Sequence, residues 1–304
     1  MPTAIGREEW LTNLKELLRY IYICQCITIQ ECQAVTAQLL LPKPTATSEK
    51  WFSYLWQDCL TVWWGDWLEL RVRVYQVLAS GLISPLIYIL AFGFGLGNAL
   101  KDAPMFGGSY LNFILPGMVA LSSMTIGFGG TSFSICGDRL YSKTFEELLM
   151  LPVHPLALHL GKMLAGVTRG LLTAGSVVVV AILCTGNWHF LHPEFWLLVT
   201  LNCMVFSGIG VLVGLSVTSI ESVGLYNSFL IVPMSFLGGT FFEPNLLPQP
   251  LQTLVYLLPL THASVGLRAV VNGGHAQWYS WLVLGLMAII LCWCGGYQFS
   301  HQKD

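Results

Sequence analysis

The sequence predicts an all-α polytopic membrane protein with six transmembrane helices, and three observations carry that prediction. Charged residues make up only 10% of the 304 positions, against roughly 25% in a soluble domain. Hydrophobic residues reach 55%. A water-soluble fold of this size could not cover its own surface with so few charges, whereas a bilayer needs no such cover. Third, the chain holds six runs of the length a spanning helix needs, about 20 mostly apolar residues. They lie near Val77–Gly97, Leu111–Cys136, Met163–Thr185, Phe195–Thr218, Val223–Phe242 and Tyr279–Phe299. The runs are continuous rather than alternating, which selects helices over a β-barrel. None contains an acidic residue, and Arg169 is the one base within them.

Placement of Lys and Arg sets the orientation. Arg71, Arg73, Arg139, Lys143, Lys162 and Lys303 fall on one side of the six spans, against Lys101 and Arg268 on the other. Both termini are therefore expected in the cytosol. The net charge of −2 argues against a nucleic-acid partner, which would want a basic face. The apolar stretch Ile21–Ile29 is broken by Gln25 and lacks a small-residue cleavage site, so it is not read as a cleavable signal peptide.

Residues 1–50 read as a cytosolic extension with one weak helix, closed by Pro42-Lys43-Pro44 and a Thr/Ser-rich linker. Cys24, Cys26 and Cys32 within it fit no zinc-ligand spacing, and small buried cysteines are the other reading. Residues 51–304 form the transmembrane domain, entered through an amphipathic helix over 51–76. On a helix, Trp56, Leu60, Trp63 and Trp67 share one narrow arc, while Asp58, Asp66, Glu69 and Arg73 lie on the other side. Such a helix suits the membrane–water interface; an aromatic face packed on protein is the alternative.

The loop from Asp138 to Leu160 carries a second pattern. Thr144 followed by Glu147 matches a capping box, so a helix is expected to begin at Phe145. Phe145, Leu148 and Leu149 share one face of it, Glu146 and Glu147 complement its positive end, and Pro152 stops it after about two turns. The segment is either a coupling helix gripped by a cytosolic motor or a surface loop with an incidental cap. On the outer side, the segment from Glu243 to Tyr279 holds Pro244, Pro248, Pro250 and Pro259 among many leucines. Two short helices are expected there, dipping into the outer leaflet or capping the bundle.

No P-loop run, H-E-x-x-H or G-x-S-x-G occurs, so neither nucleotide binding through a P-loop nor these catalytic arrangements is expected of this chain. No catalytic, cofactor or metal residue is assigned. His154, His159, His189 and His192 read as solvated or interfacial at loops and span ends. Arg169 reads either as a base snorkelling to the cytosolic face or as a group facing substrate.

The run Leu115-Pro116-Gly117-Met118-Val119-Ala120 resembles the start of the second span in type-2 ABC exporter permeases. Phe145-Glu146-Glu147-Leu148, Leu151-Pro152-Val153 and Leu160-Gly161-Lys162 resemble that family's cytosolic loop. Gly238-Gly239-Thr240-Phe241-Phe242 with Pro244, Leu247-Pro248, Pro259-Leu260-Thr261-His262 and Leu267-Arg268 are similar to its outer-loop signature. Leu258 and Glu243 depart from the pattern, and the drug-resistance and nodulation-factor exporter permeases match it best. The resemblance implies a homodimer in a bacterial inner membrane, joined to two copies of a cytosolic P-loop ATPase that holds the ATP and Mg. The cargo would be hydrophobic, amphipathic or lipid-linked. A secondary transporter or a membrane-embedded lipid-modifying enzyme would place ionisable groups within the spans, and these spans offer almost none.

Overall fold

The computed structural model describes residues 51–91, 110–142, 144–150 and 153–303. The expected extension over 1–50, the outer end of the first span and Pro152 lie outside them. The described elements are helical throughout, and six helices are long and apolar enough to cross a membrane.

Helix α1 (Trp51–Tyr88) is 38 residues long, roughly 57 Å at 1.5 Å per residue, against about 30 Å of bilayer hydrocarbon. The expected interfacial helix and first span are thus one unbroken helix. Helix α2 (Tyr110–Gly137) continues through a π-helical turn, Asp138–Ser142, and α3 (Thr144–Met150) follows as a short helix. The third span, α4 (Pro155–Thr185), begins eight residues before the expected Met163 because His154 caps it, accepting from the Leu156 N–H, with Pro155 at the first helical position. Gly186, at φ 66°, ends it. Helix α5 (Pro193–Ser216) has the same entry, with His192 accepting from Glu194 N–H.

The fifth span is interrupted. Helix α6 (Ile220–Tyr226) passes through a π-helical stretch, Asn227–Ile231, into α7 (Val232–Leu237). Pro233 offers no N–H to the carbonyl one turn back, where the helix widens. Beyond α7, α8 (Gln249–Tyr256) and α9 (Pro259–Val271) are bent by 88° to one another, the expected pair of short helices. Helix α9 packs among α2, α5 and α10 (Trp278–Lys303). Arg268 fastens it there, donating from Nε to Phe113 O at 3.0 Å and from Nη2 to Thr240 O at 2.7 Å and to Gly239 O.

Helices α2 and α5 form the centre, with α4 against both. Of the most apolar stretches, 72% of the second span and 67% of the fourth are buried, against 17% of the first and of the fifth. Close approach of α2 and α5 depends on Gly210, where an added Cβ would lie 2.7 Å from Phe128 O. Several polar groups in this core find partners on a neighbouring helix or on their own. Asn202 donates to Ala120 O and Ser123 Oγ. The Ser122, Thr131 and Ser132 hydroxyls donate to carbonyls one turn back on their own helix.

Candidate functional site

At the cytosolic end implied by the charge pattern, an apolar cluster joins Leu55, Cys59 and Val62 of α1 to Phe145 of α3, Leu158 of α4 and Phe299 of α10. Phe145 is only 4% exposed, its ring centroid 5.9 Å from that of Phe299. Leu148 and Leu149 are half-buried against the same cluster. The apolar stripe read as a grip for a partner therefore seats α3 on its own bundle. Glu146 and Glu147 are exposed, and Met150 is 85% exposed. What α3 offers outward is two carboxylates and a methionine.

A correction concerns His159. The sequence placed it in solvent or at the interface, but it is fully buried, its ring edge-on to Phe299 at 6.1 Å. Gly295 makes the room, since a Cβ there would lie 2.0 Å from the imidazole. Helix α1 brings a second correction. Asp58 and Asp66 are buried, so these two acidic residues face the bundle rather than water, while Glu69 and Arg73 further along stay partly exposed. Lys162 Nζ donates to Asp66 Oδ1 at 2.8 Å and to Asp138 Oδ2 at 2.9 Å, tying α1 and the end of α2 to α4. Beside this triad, Arg139 Nη1 donates to the carbonyls of Gly214, Leu215 and Val217, a cation on the negative end of α5. Trp56 is 52% exposed, while Trp63 and Trp67 are half-buried and stacked at 6.0 Å.

Above the triad the packing opens. A cavity of about 480 Å³ lies between α1, α2, α4 and the π-helical stretch of the fifth span. Its walls include Glu69, Arg73, Ser80, Thr125, Gly129, Phe133, Arg169 and Asn227. A second cavity of about 240 Å³ shares Ser80, Thr125, Ile126 and Asn227 with the first, and adds Ser84, Tyr88, Ser122 and Ser235. Together they make a groove along the flank where the two least buried spans approach each other. It mixes apolar wall with hydroxyls, one amide and, at one end, charge. Glu69 and Arg73 pair across one turn at 3.4 Å.

Sequence reading missed this groove. Its signal is present in retrospect: Ser80 and Ser84 are one turn apart, as are Ser122 and Thr125, so each pair shares a helix face. Arg169 is not on the surface of the bundle. It is 9% exposed, lines the larger cavity, and donates from Nη1 to Gly130 O at 2.6 Å. None of the residues assigned to coupling (Phe145, Glu146, Glu147, Leu148, Leu149) or to the interface (Trp56, Trp63, Trp67) lines the groove, although Trp67 lies two residues before Glu69, which does.

Residues 57–272 match the model of the family described as ABC-2 type transporter. The chain is similar to the inner membrane transport permease YadH of Escherichia coli K12, 29% identical over 210 residues that cover 67% of this chain and 79% of that protein. It is also similar to nodulation protein J of Rhizobium leguminosarum bv. trifolii, 28% identical over 215 residues, 70% of this chain and 81% of that one. Nodulation protein J of Neorhizobium galegae is 29% identical over a stretch of the same length. With a family match spanning most of its length and a bundle of six apolar helices around α2 and α5, the chain belongs to the ABC-2 type transporter family of membrane proteins.

Proposed function

We propose that this chain is the transmembrane permease of an ATP-driven exporter, moving a hydrophobic, amphipathic or lipid-linked substrate out of the cytosol. The observation that carries the reading is the groove between α1, α2 and the fifth span. Lipid has no use for a lining of Ser80, Ser84, Ser122, Thr125, Asn227 and Ser235, whereas a second copy facing that flank would convert two grooves into one enclosed route. Both termini and α3 are cytosolic in this reading, and the protein is a homodimer; it sits in the bacterial inner membrane, the location that the name of the YadH relative gives for that protein.

Two copies of a separate P-loop ATPase would bind ATP and Mg and grip the exposed side of α3. Because Phe145 is anchored beside Phe299, motion imposed on Glu146, Glu147 and Met150 reaches α1, α4 and α10 through one apolar cluster. ATP-driven closure then biases the bundle between inward- and outward-open packings. The tryptophan side of α1 (Trp56, Trp63, Trp67) lies in the interface and steadies the bundle there.

Copurification with the ATPase, followed by nucleotide-dependent efflux from vesicles, tests the reading. Replacing Glu146 and Glu147 together by Lys is expected to leave the permease inserted and dimeric. It should sharply reduce ATPase association and efflux, because it reverses the charge shown to the partner. Full association and transport in that variant would show that α3 does not couple.

A further inference from the structure

We propose that Arg169 is the head-group subsite of the transport groove and that the substrate carries an anionic head group on an apolar body. The inference rests on the groove being the route. It starts from depth. Arg169 lies seven residues beyond Lys162 on α4, roughly 10 Å further into the membrane at 1.5 Å per residue. A base held there is costly unless it is paired or faces a polar cavity.

Pairing does not account for it. Among the described residues Arg169 makes no ion pair, and the hydrogen bond to Gly130 O is the one its guanidinium makes. Lys162, by contrast, is held between two carboxylates. The carboxylate that lines the same cavity, Glu69, is already paired with Arg73, so among the described lining residues one positive charge is left uncompensated. Guanidinium has five donors and binds phosphate or carboxylate oxygens in pairs. One donor, Nη1, goes to Gly130, which fixes the side chain along α2 and leaves the remaining fork for a ligand.

The wall beside it leaves space for that ligand. A Cβ at Gly129 would meet nothing within 4 Å, and the cavity of about 480 Å³ opens beside it. From Arg169 the groove continues into the second cavity through Ser80 and Thr125, where hydroxyls alternate with apolar wall. A phosphate, carboxylate or sulfate at Arg169 with a chain lying along this wall matches both ends of the groove. A cationic substrate would meet a like charge at the charged end of the groove.

The test uses two photoactivatable lysolipids of identical chain, a phosphate monoester (lysophosphatidate) and its zwitterionic choline ester. Each is titrated against the intact permease in neutral phosphatidylcholine nanodiscs, with crosslinks on residues 122–134 read by mass spectrometry. The phosphate probe is expected to label the groove at about tenfold lower concentration, the scale of one charge-assisted contact. Arg169→Gln should abolish the preference while leaving groove labelling by the zwitterion, and Arg169→Lys should keep most of it. Equal labelling by the two probes in the unaltered protein, or a preference that survives Arg169→Gln, would overturn the head-group assignment while leaving the groove as a lipid-accessible route. If neither probe labelled the groove, the route itself would fail, and this inference with it.

Discussion

Lys162 and Arg169 stand two turns apart on one helix, and their surroundings differ in kind. Lys162 is enclosed by Asp66 and Asp138, contributed by two other helices. Arg169 touches a single backbone carbonyl and otherwise faces a cavity. The contrast extends to the regions around them. The end that carries α3 is closed, with Phe145, His159 and Phe299 packed together beside the ion triad. The groove side is thinly covered by the two least buried spans. A membrane protein retains buried charge for two reasons, to fasten helices or to meet something that passes, and this chain shows one of each on the same face of α4.

The largest effect should come from the fastening charge. Lys162→Met would leave two carboxylates confined together without a counter-ion, and breaking a buried pair in this way costs about 3–5 kcal/mol. Thermal unfolding of the detergent-solubilised protein should fall steeply, and adding Asp66→Asn to the same variant should recover part of the loss. A melt unchanged by Lys162→Met would remove the triad from the list of structural joints.

Phe145→Ala should come next. Truncating a buried Phe costs about 3–5 kcal/mol when the site cannot collapse, and here the cost should appear as local release of α3. Limited proteolysis at residues 144–150 should accelerate while the bundle melts close to its usual temperature, and coupling to ATP hydrolysis should weaken even with Glu146 and Glu147 in place. If proteolysis at α3 were unchanged, the seat on Phe299 would not be what holds it.

Arg169→Gln should cost only about 1 kcal/mol, the worth of one hydrogen bond, because no carboxylate is orphaned by it. Measured in the same melt as Lys162→Met, it sharpens the comparison directly, and a loss as large as that of Lys162→Met would erase the distinction between the two charges. Smallest of all should be Trp56→Ala, within about 0.5 kcal/mol, as expected of an exposed side chain. Quenching of Trp56 fluorescence by lipids labelled near the head group would place it in the interface, and quenching by aqueous iodide alone would place it in water.

The spans were legible because a run of twenty apolar residues has few other uses, and α3 because its cap residue, carboxylates and apolar stripe agree on one short helix. What α3 packs on was not legible. A stripe of Phe145, Leu148 and Leu149 says that one face is buried, not whether the cover is a partner or the same chain. Asp58 and Asp66 misled for a related reason: acidic residues opposite tryptophans look solvated until Lys162 is known to lie across from one of them. The groove was hidden because serine and threonine donate to their own helix and scarcely mark an apolar run, and because its walls come from four segments far apart in sequence. His159 needed Gly295, 136 residues away, to explain how a histidine fits in the core.

In the proposed mechanism the groove is the transport route and the ATPase controls its access. Ser80 lines both cavities, so Ser80→Cys, assembled with the ATPase in inside-out vesicles, reports on it most directly. A membrane-impermeant maleimide should label residue 80 from the cytosolic side without nucleotide, and labelling should be largely lost when a non-hydrolysable ATP analogue holds the motor closed. Labelling that is absent in both states, or that is indifferent to nucleotide, would contradict the account.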